Sequence, residues 1–395
     1  MSMRMDKALA AELLNSPLQF VLLDIDGVVS SGNDILPRIP ETLKYLRFRG
    51  KAIRFISNNS SHSRRAIHEV FQAHGIRGVA AGEILNSAYA VALRLRQLLG
   101  GPDGLVRGNL FVIGEDGLHE ELREVLAPGF ISYGLELHDP ERVGGLDPAA
   151  LRGAWTTPVL PPPQQPLRLL RSNPGPGMGR ENRRKRKDDS GKEEDDSGEV
   201  VQAGSANERW ISLAELNAVA VVVGLDFHFS SLKLTYAAII LRGRPSPSKD
   251  NTCEETEEEE EEEAEENPRA LFIATNEDPQ VPIGLRTVFV PGDGCLVRAV
   301  ATAAGREPDA VCGKPQIDLA MALFANEDIH DVRTSCLMVG DRLTTDVAFG
   351  NAMGCQTMLV LSGAEGLRDV EKAKREQRKD LIPDYIADSL ACFIP

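Results

Sequence analysis

Four short apolar runs, each closing on a polar cluster, frame this chain. Phe20–Leu23 ends in Asp24, Ala52–Ile56 in Ser57, Cys336–Val339 in Gly340-Asp341, and Thr357–Leu361 in Ser362-Gly363. Brief runs of this kind suit strands buried on both faces, as in a parallel sheet. Between them the period becomes helical. Pro40–Arg49 sets Leu43, Leu46 and Phe48 among Glu41, Lys44 and Arg47, and Gly50 stops it. Arg64–His74 closes on Gly75, and Glu83–Leu99 closes on Gly100-Gly101. Gln316–Phe324 has Pro315 at its first turn, and Thr345–Met353 stops at Gly354. This alternation predicts a doubly wound α/β domain, whose ligands bind at the carboxyl ends of the strands.

The middle repeats the pattern less regularly. Leu110–Ile113, Ala218–Val223, Ala270–Ala274 and Thr287–Val290 read as strands, with helices near 117–126 and 230–241. They predict a second α/β unit inserted into the first. Residues about 156–208 and 244–268 carry few large apolar groups. They cannot bury enough surface to offset ordering entropy, so both are expected to be disordered insertions.

Charge changes the picture little. The net charge of −15 is mostly local, because residues 254–266 hold eleven glutamates and the remainder carries about −4. No basic field for nucleic acid is expected. No run of about 18 apolar residues predicts a membrane span. Met1–Gln19 lacks a signal-peptide core, since Lys7, Glu12 and Asn15 interrupt it. The six cysteines show no paired spacing, which reads as reduced thiols in a cytoplasmic protein. Arg183–Lys187 leaves nuclear import as a second address.

The polar clusters carry the chemistry. Asp24 and Asp26, two residues apart past a strand, can face one cleft, one as nucleophile and one as general acid/base. Gly27 allows the sharp turn this needs. Ser57, Asn58 and Asn59 can bind phosphate oxygens, while a nearby serine caps the next helix. Lys314, between Gly313 and Pro315, can neutralise an anionic substrate at a helix entry. Asp24, the Asp26 carbonyl and Asp341 supply hard oxygens for Mg²⁺, with Asp346 behind them holding Lys314 or Asp341.

In this order the fragments resemble the haloacid dehalogenase superfamily of phosphatases, especially those acting on phosphoglycolate, glycerol phosphate or pyridoxal phosphate. Met338–Asp346, Gly294–Val300 and Val223–Ser230 extend the resemblance over about residues 18–135, 209–243 and 269–395. It implies a Rossmann-like parallel-sheet core in two parts, 1–100 and 301–395, with an α/β cap at 101–300. It further implies Asp24 as nucleophile, Asp26 as acid/base, Ser57, Asn58, Asn59 and Lys314 on phosphate, Mg²⁺ at Asp24, Asp26 and Asp341, and a homodimer through the cap. The substrate loop is Asn276–Pro282. Val281 stands where pyridoxal phosphatases tend to carry His, which favours a small phosphorylated metabolite such as phosphoglycolate or glycerol 3-phosphate. Alternatives are pyridoxal 5′-phosphate, a broad 4-nitrophenyl phosphatase activity, or a scaffold acting through the charged insertions. Ser30-Ser31 departs from the aromatic–basic pair usual after Gly27-Val28-Val29.

Overall fold

The computed structural model describes the chain apart from residues 1, 33, 129, 140–146, 165–208, 245–268, 284–287, 325–326, 328 and 330. Seven parallel strands form one sheet, in the order Met3–Arg4, Tyr385–Ala387, Gln356–Val360, Cys336–Gly340, Phe20–Leu23, Ala52–Ser57, Ile84–Asn86. After the edge strand Met3–Arg4, the chain crosses to the interior at Phe20–Leu23 and builds outward from there in both directions. The strand order therefore reverses between Phe20–Leu23 and Cys336–Gly340, and a crevice opens beyond their carboxyl ends. Both strands are wholly buried, which explains their unbroken apolar character.

Five parallel strands form the cap sheet: Ala310–Val311, Leu271–Ala274, Ala218–Val223, Gly108–Ile113, Phe130–Tyr133. Two of these, Phe130–Tyr133 and Ala310–Val311, have no counterpart in the sequence reading. The second lies beyond residue 300, so the cap sheet extends past the expected boundary. The predicted strand at 287–290 does not join this sheet. Val288–Pro291 instead pairs antiparallel with Gln280–Ile283 as a projecting arm. Val288 and Phe289 are exposed there, whereas sheet-core strands bury such residues.

Other boundaries shift for local reasons. The expected helix from Glu83 begins at Ser87, because Ile84–Asn86 completes the core sheet and the Asn86 side chain accepts from Tyr89 N to cap the helix. The helix expected from Gln316 begins at Asp318, leaving Pro315 upstream of it. A π-turn at Leu343–Val347 precedes the α-helix Ala348–Met353. The first insertion starts later than residue 156. Val159 and Leu160 are buried in the cap, Leu160 bridges Ile211, and the Tyr133 hydroxyl donates to Pro161 O. A proline-rich window concealed these two apolar anchors. Residues 165–208 and 245–268, including Arg183–Lys187 and the glutamate run, lie outside the described residues.

Cap and core share an apolar cluster. It runs from Leu22 and Ile56 through Val91, Leu95 and Leu122 to Val112 and Val222. Each such side chain, fully buried, contributes about 1.5–3 kcal/mol. Polar bonds lock the junction around one core loop. Ser63 Oγ donates to Glu120, Arg64 pairs with the buried Glu121, and Asn86 Nδ2 donates to His62 O. Burial pushes the Glu121 carboxyl up, against the pull of Arg64.

Candidate active site

Asp24 is the first residue past its strand, and its N–H donates to Val339 O at 2.9 Å, continuing the sheet into the crevice. The chain then turns at Gly27, whose φ of +91° is a conformation that side-chain-bearing residues resist. Gly27 N donates to Ser30 O, and Ser362 Oγ donates to Gly27 O. The turn leaves Asp24 buried and Asp26 exposed on the lining of the same cleft.

Lys314 lies at the centre. Its Nζ donates to Asp24 Oδ1 at 2.6 Å, Asp346 Oδ1 at 2.7 Å and Ile56 O at 2.9 Å, using all three of its protons. Asp346 turns its other oxygen to the N–H groups of Asp341 and Arg342, at 3.1 and 3.0 Å. Asp341 Oδ2 accepts from Ala364 N at 2.7 Å. A Cβ on Gly340 would overlap the Asp346 side chain, so this strand end must be glycine for the carboxylate to pack there.

All four charged groups are buried. Burial pushes the Asp24 carboxyl well up, and Asp346 and Asp341 add to this while Lys314 pulls it back. Burial opposes the Lys314 charge, but Asp24 and Asp346 outweigh it and hold the ammonium above its ordinary range. Three acids against one lysine leave an excess of negative charge. The oxygens of Asp24, Asp341 and Asp346 lie within 4.8 Å of one another. Asp346 commits both oxygens, to Lys314 and to two backbone N–H groups, so Asp24 and Asp341 fit a cation better than Asp346 does. Hard oxygen donors with surplus negative charge fit Mg²⁺.

The second cluster divides its labour. Ser57 is buried, and its Oγ accepts from Asn59 N at 3.1 Å. The Asn58 amide is fully engaged: Nδ2 donates to Asp278 and to Lys314 O, and Oδ1 accepts from Lys314 N at 2.7 Å. Asn58 thus positions the lysine, and its side chain is not free for the phosphate contact expected of it. Asn59 Oδ1 accepts from His62 N, closing the loop's own turn. Ser63 caps the following helix.

The cleft measures about 370 Å³. Its floor is Asp24, Ser57, Lys314 and Asp341, and Gln280, Val281 and Phe289 line it from the arm. Sequence reasoning missed its inner support. Asp293 Oδ1 accepts from Ser60 Oγ and Thr275 Oγ1, each at 2.5 Å, and Ser60 Oγ also accepts from Leu225 N. Burial raises the Asp293 carboxyl to about 6, against the lowering effect of the two hydroxyls. The only trace of this role in the sequence is an acid between two glycines at the start of the helix Asp293–Ala304.

The geometry is matched by kinship. A haloacid dehalogenase-like hydrolase family model matches residues 21–126, and a HAD-hydrolase-like model matches residues 311–392. Glycerol-3-phosphate phosphatase of Rattus norvegicus is 30% identical over 98% of this chain and 92% of its own length. Chronophin of Homo sapiens is 31% identical over 94% of this chain and 91% of its own. Among solved structures, glycerol phosphate phosphatase from Mycobacterium tuberculosis in complex with magnesium superposes with a TM-score of 0.59 at 20% identity, over 98% of this chain and 78% of that one. The chain belongs to the haloacid dehalogenase-like hydrolases. Within them it is a phosphoric monoester hydrolase.

Proposed function

We propose that this enzyme hydrolyses small phosphomonoesters with Mg²⁺, and that glycerol 3-phosphate or phosphoglycolate is its substrate. The observation that carries the reading is the buried Asp24–Lys314–Asp346 lattice beneath an exposed Asp26. Asp24 Oδ attacks phosphorus in line, and the bond from phosphorus to the alcohol oxygen breaks. Asp26 gives its proton to that oxygen as the alkoxide leaves. The resulting aspartyl-phosphate is attacked by water, whose proton returns to Asp26, so Asp24 is regenerated and inorganic phosphate departs. Lys314 compensates charge on the phosphoryl oxygens, Ser57 donates to them, and Asn58 acts by holding Lys314 in register. Asp24, Asp341 and the Asp26 carbonyl would hold Mg²⁺, which when bound supplies further charge neutralisation at the phosphate.

Substrate choice is assigned to the arm. Val281 and Phe289 line the cleft with apolar surface and Arg342 lines it too, which suits a short leaving group such as glycerol or glycolate. The relatives include glycerol-3-phosphate phosphatases, in keeping with this choice. Comparing kcat/KM for glycerol 3-phosphate, 2-phosphoglycolate and pyridoxal 5′-phosphate tests it. Preference for the last would replace it with the second reading, in which Phe289 faces the pyridine ring. A scaffold role is disfavoured by the intact charge lattice. Deleting 165–205 and 245–267 would leave a phosphatase active and deprive a scaffold of its partner.

A homodimer through the cap belongs to the same proposal, since a second copy would cover the exposed Val288 and Phe289. Sedimentation of wild type and Phe289→Ser tests it. A cytoplasmic address fits the unbonded state of the five described cysteines. Among the described residues no helix is long and apolar enough to cross a membrane.

A further inference from the structure

A second set of metal-type donors lies in the cap, outside the lining of the phosphate cleft. Glu115 follows the strand Gly108–Ile113, His138 follows the turn after Phe130–Tyr133, and His228 follows Ala218–Val223. These three strands are neighbours in the cap sheet and all run parallel, so their carboxyl ends deliver the three side chains to one edge. One donor atom from each lies within 4.8 Å of the others.

The surroundings are those of a held site. Glu115 Oε1 accepts from Phe227 N at 2.7 Å and stands 3.4 Å from His228 Nδ1. A tetrahedral Zn²⁺ with bonds of about 2.0 Å has ligand–ligand edges of about 3.3 Å, so this pair is already at that spacing. His138 Nε2 is sealed from solvent and has no hydrogen-bond partner. Its nearest acidic neighbour, Asp226 Oδ1, is 3.9 Å away, past hydrogen-bond reach. Asp226 is occupied elsewhere: its Oδ1 accepts from His228 N and its Oδ2 from Lys233 Nζ at 2.6 Å. The wall behind the site is therefore a neutral ion pair. The two imidazoles stack with centroids 4.3 Å apart. Parallel rings do not aim both lone pairs at one point, so binding requires His228, the exposed member, to tilt.

We propose that Glu115, His138 and His228 form a binding site for a first-row transition dication, Zn²⁺ by donor chemistry. Two imidazoles and one carboxylate suit that borderline ion, whereas the all-oxygen set at Asp24 and Asp341 suits Mg²⁺. Three protein ligands leave a fourth position for water. Bound metal would cross-link three strand ends of the cap. One tie leads onward to the cleft, since Glu115 N donates to Leu225 O, and Leu225 N donates to Ser60 Oγ.

The test is calorimetric titration of Zn²⁺ into the full chain with Mg²⁺ in large excess, repeated with Co²⁺ while recording its visible absorption. One high-affinity Zn²⁺ per chain and a tetrahedral Co²⁺ band are expected. His228→Ala and His138→Ala should each weaken Zn²⁺ by at least about tenfold and abolish the band. Asp24→Asn should keep both. His228 is exposed, so its variant should fold, and retained Mg²⁺-dependent phosphatase activity confirms that it has. The proposal fails if wild type binds no Zn²⁺, if both histidine variants bind it unchanged, or if Asp24→Asn removes it.

Discussion

The carboxyl edges of the two parallel sheets can be set side by side. At the core edge, three carboxylates crowd one lysine, and every group is buried. At the cap edge, one carboxylate and two imidazoles stand partly open to solvent in front of a separate, neutral Asp226–Lys233 pair. Both edges follow from the same topology, because parallel strands gather their final residues on one side. They differ in how charge is balanced. The core edge is under-compensated and calls for a cation and an anionic substrate. The cap edge carries a single uncompensated carboxylate, Glu115, so a ligand there is selected more by donor chemistry than by excess charge.

The largest effect should come from breaking the core edge. Asp24→Asn is expected to lower kcat with 4-nitrophenyl phosphate and Mg²⁺ by at least about 10⁴-fold. Its melting temperature without metal should hold or rise, because one crowded acid is removed. A large residual rate would remove Asp24 from the nucleophile's role. Asp26→Asn should cost about 10²- to 10⁴-fold in kcat while leaving stability near wild type, since Asp26 is exposed.

Lys314→Met should both silence the enzyme and destabilise it by about 3–5 kcal/mol, because Asp24 and Asp346 lose their buried partner. Urea unfolding at pH 7 measures this. Unchanged stability would mean the lattice does not carry the charge balance argued here.

Asp293 sharpens the comparison at the junction of the two sheets. Its folded pKa of about 6 lies above the ordinary value of 3.8. Between those values the unfolded chain has released the proton and the folded chain still holds it. Stability therefore falls as pH rises through this window, by up to roughly 3 kcal/mol, and is level above it. Asp293→Asn should flatten that slope, read by urea unfolding at pH 4 and pH 7. The smallest effect is expected at the arm. Val281→His should shift kcat/KM toward pyridoxal 5′-phosphate by a factor of about ten, equivalent to roughly 1.4 kcal/mol.

How much of this was legible beforehand depended on range. The core strands were readable because burial on both faces forces unbroken apolar runs, as at Phe20–Leu23 and Cys336–Gly340. The short strands Ile84–Asn86 and Ala310–Val311 were not, since two or three residues carry no period and owe their pairing to a neighbour already in place. Val159 and Leu160 were missed because composition averaged over a window hides two anchors among prolines. Asn58 was readable as a polar loop residue, but its engagement with Lys314, 256 positions away, was not.

The sequence alone determined the alternation of elements, the polar residues that end each core strand, and hence the reaction class. Those features are local: an apolar run, a helical period and an acid after a strand declare themselves within a few residues. Only the tertiary structure decided which acids share the lysine, which amide is spent on holding it, that the 288–291 strand leaves the sheet to roof the cleft, and that Glu115, His138 and His228 meet. Each of these is set by pairing between strands far apart in the chain, where spacing in sequence carries no information about distance in space.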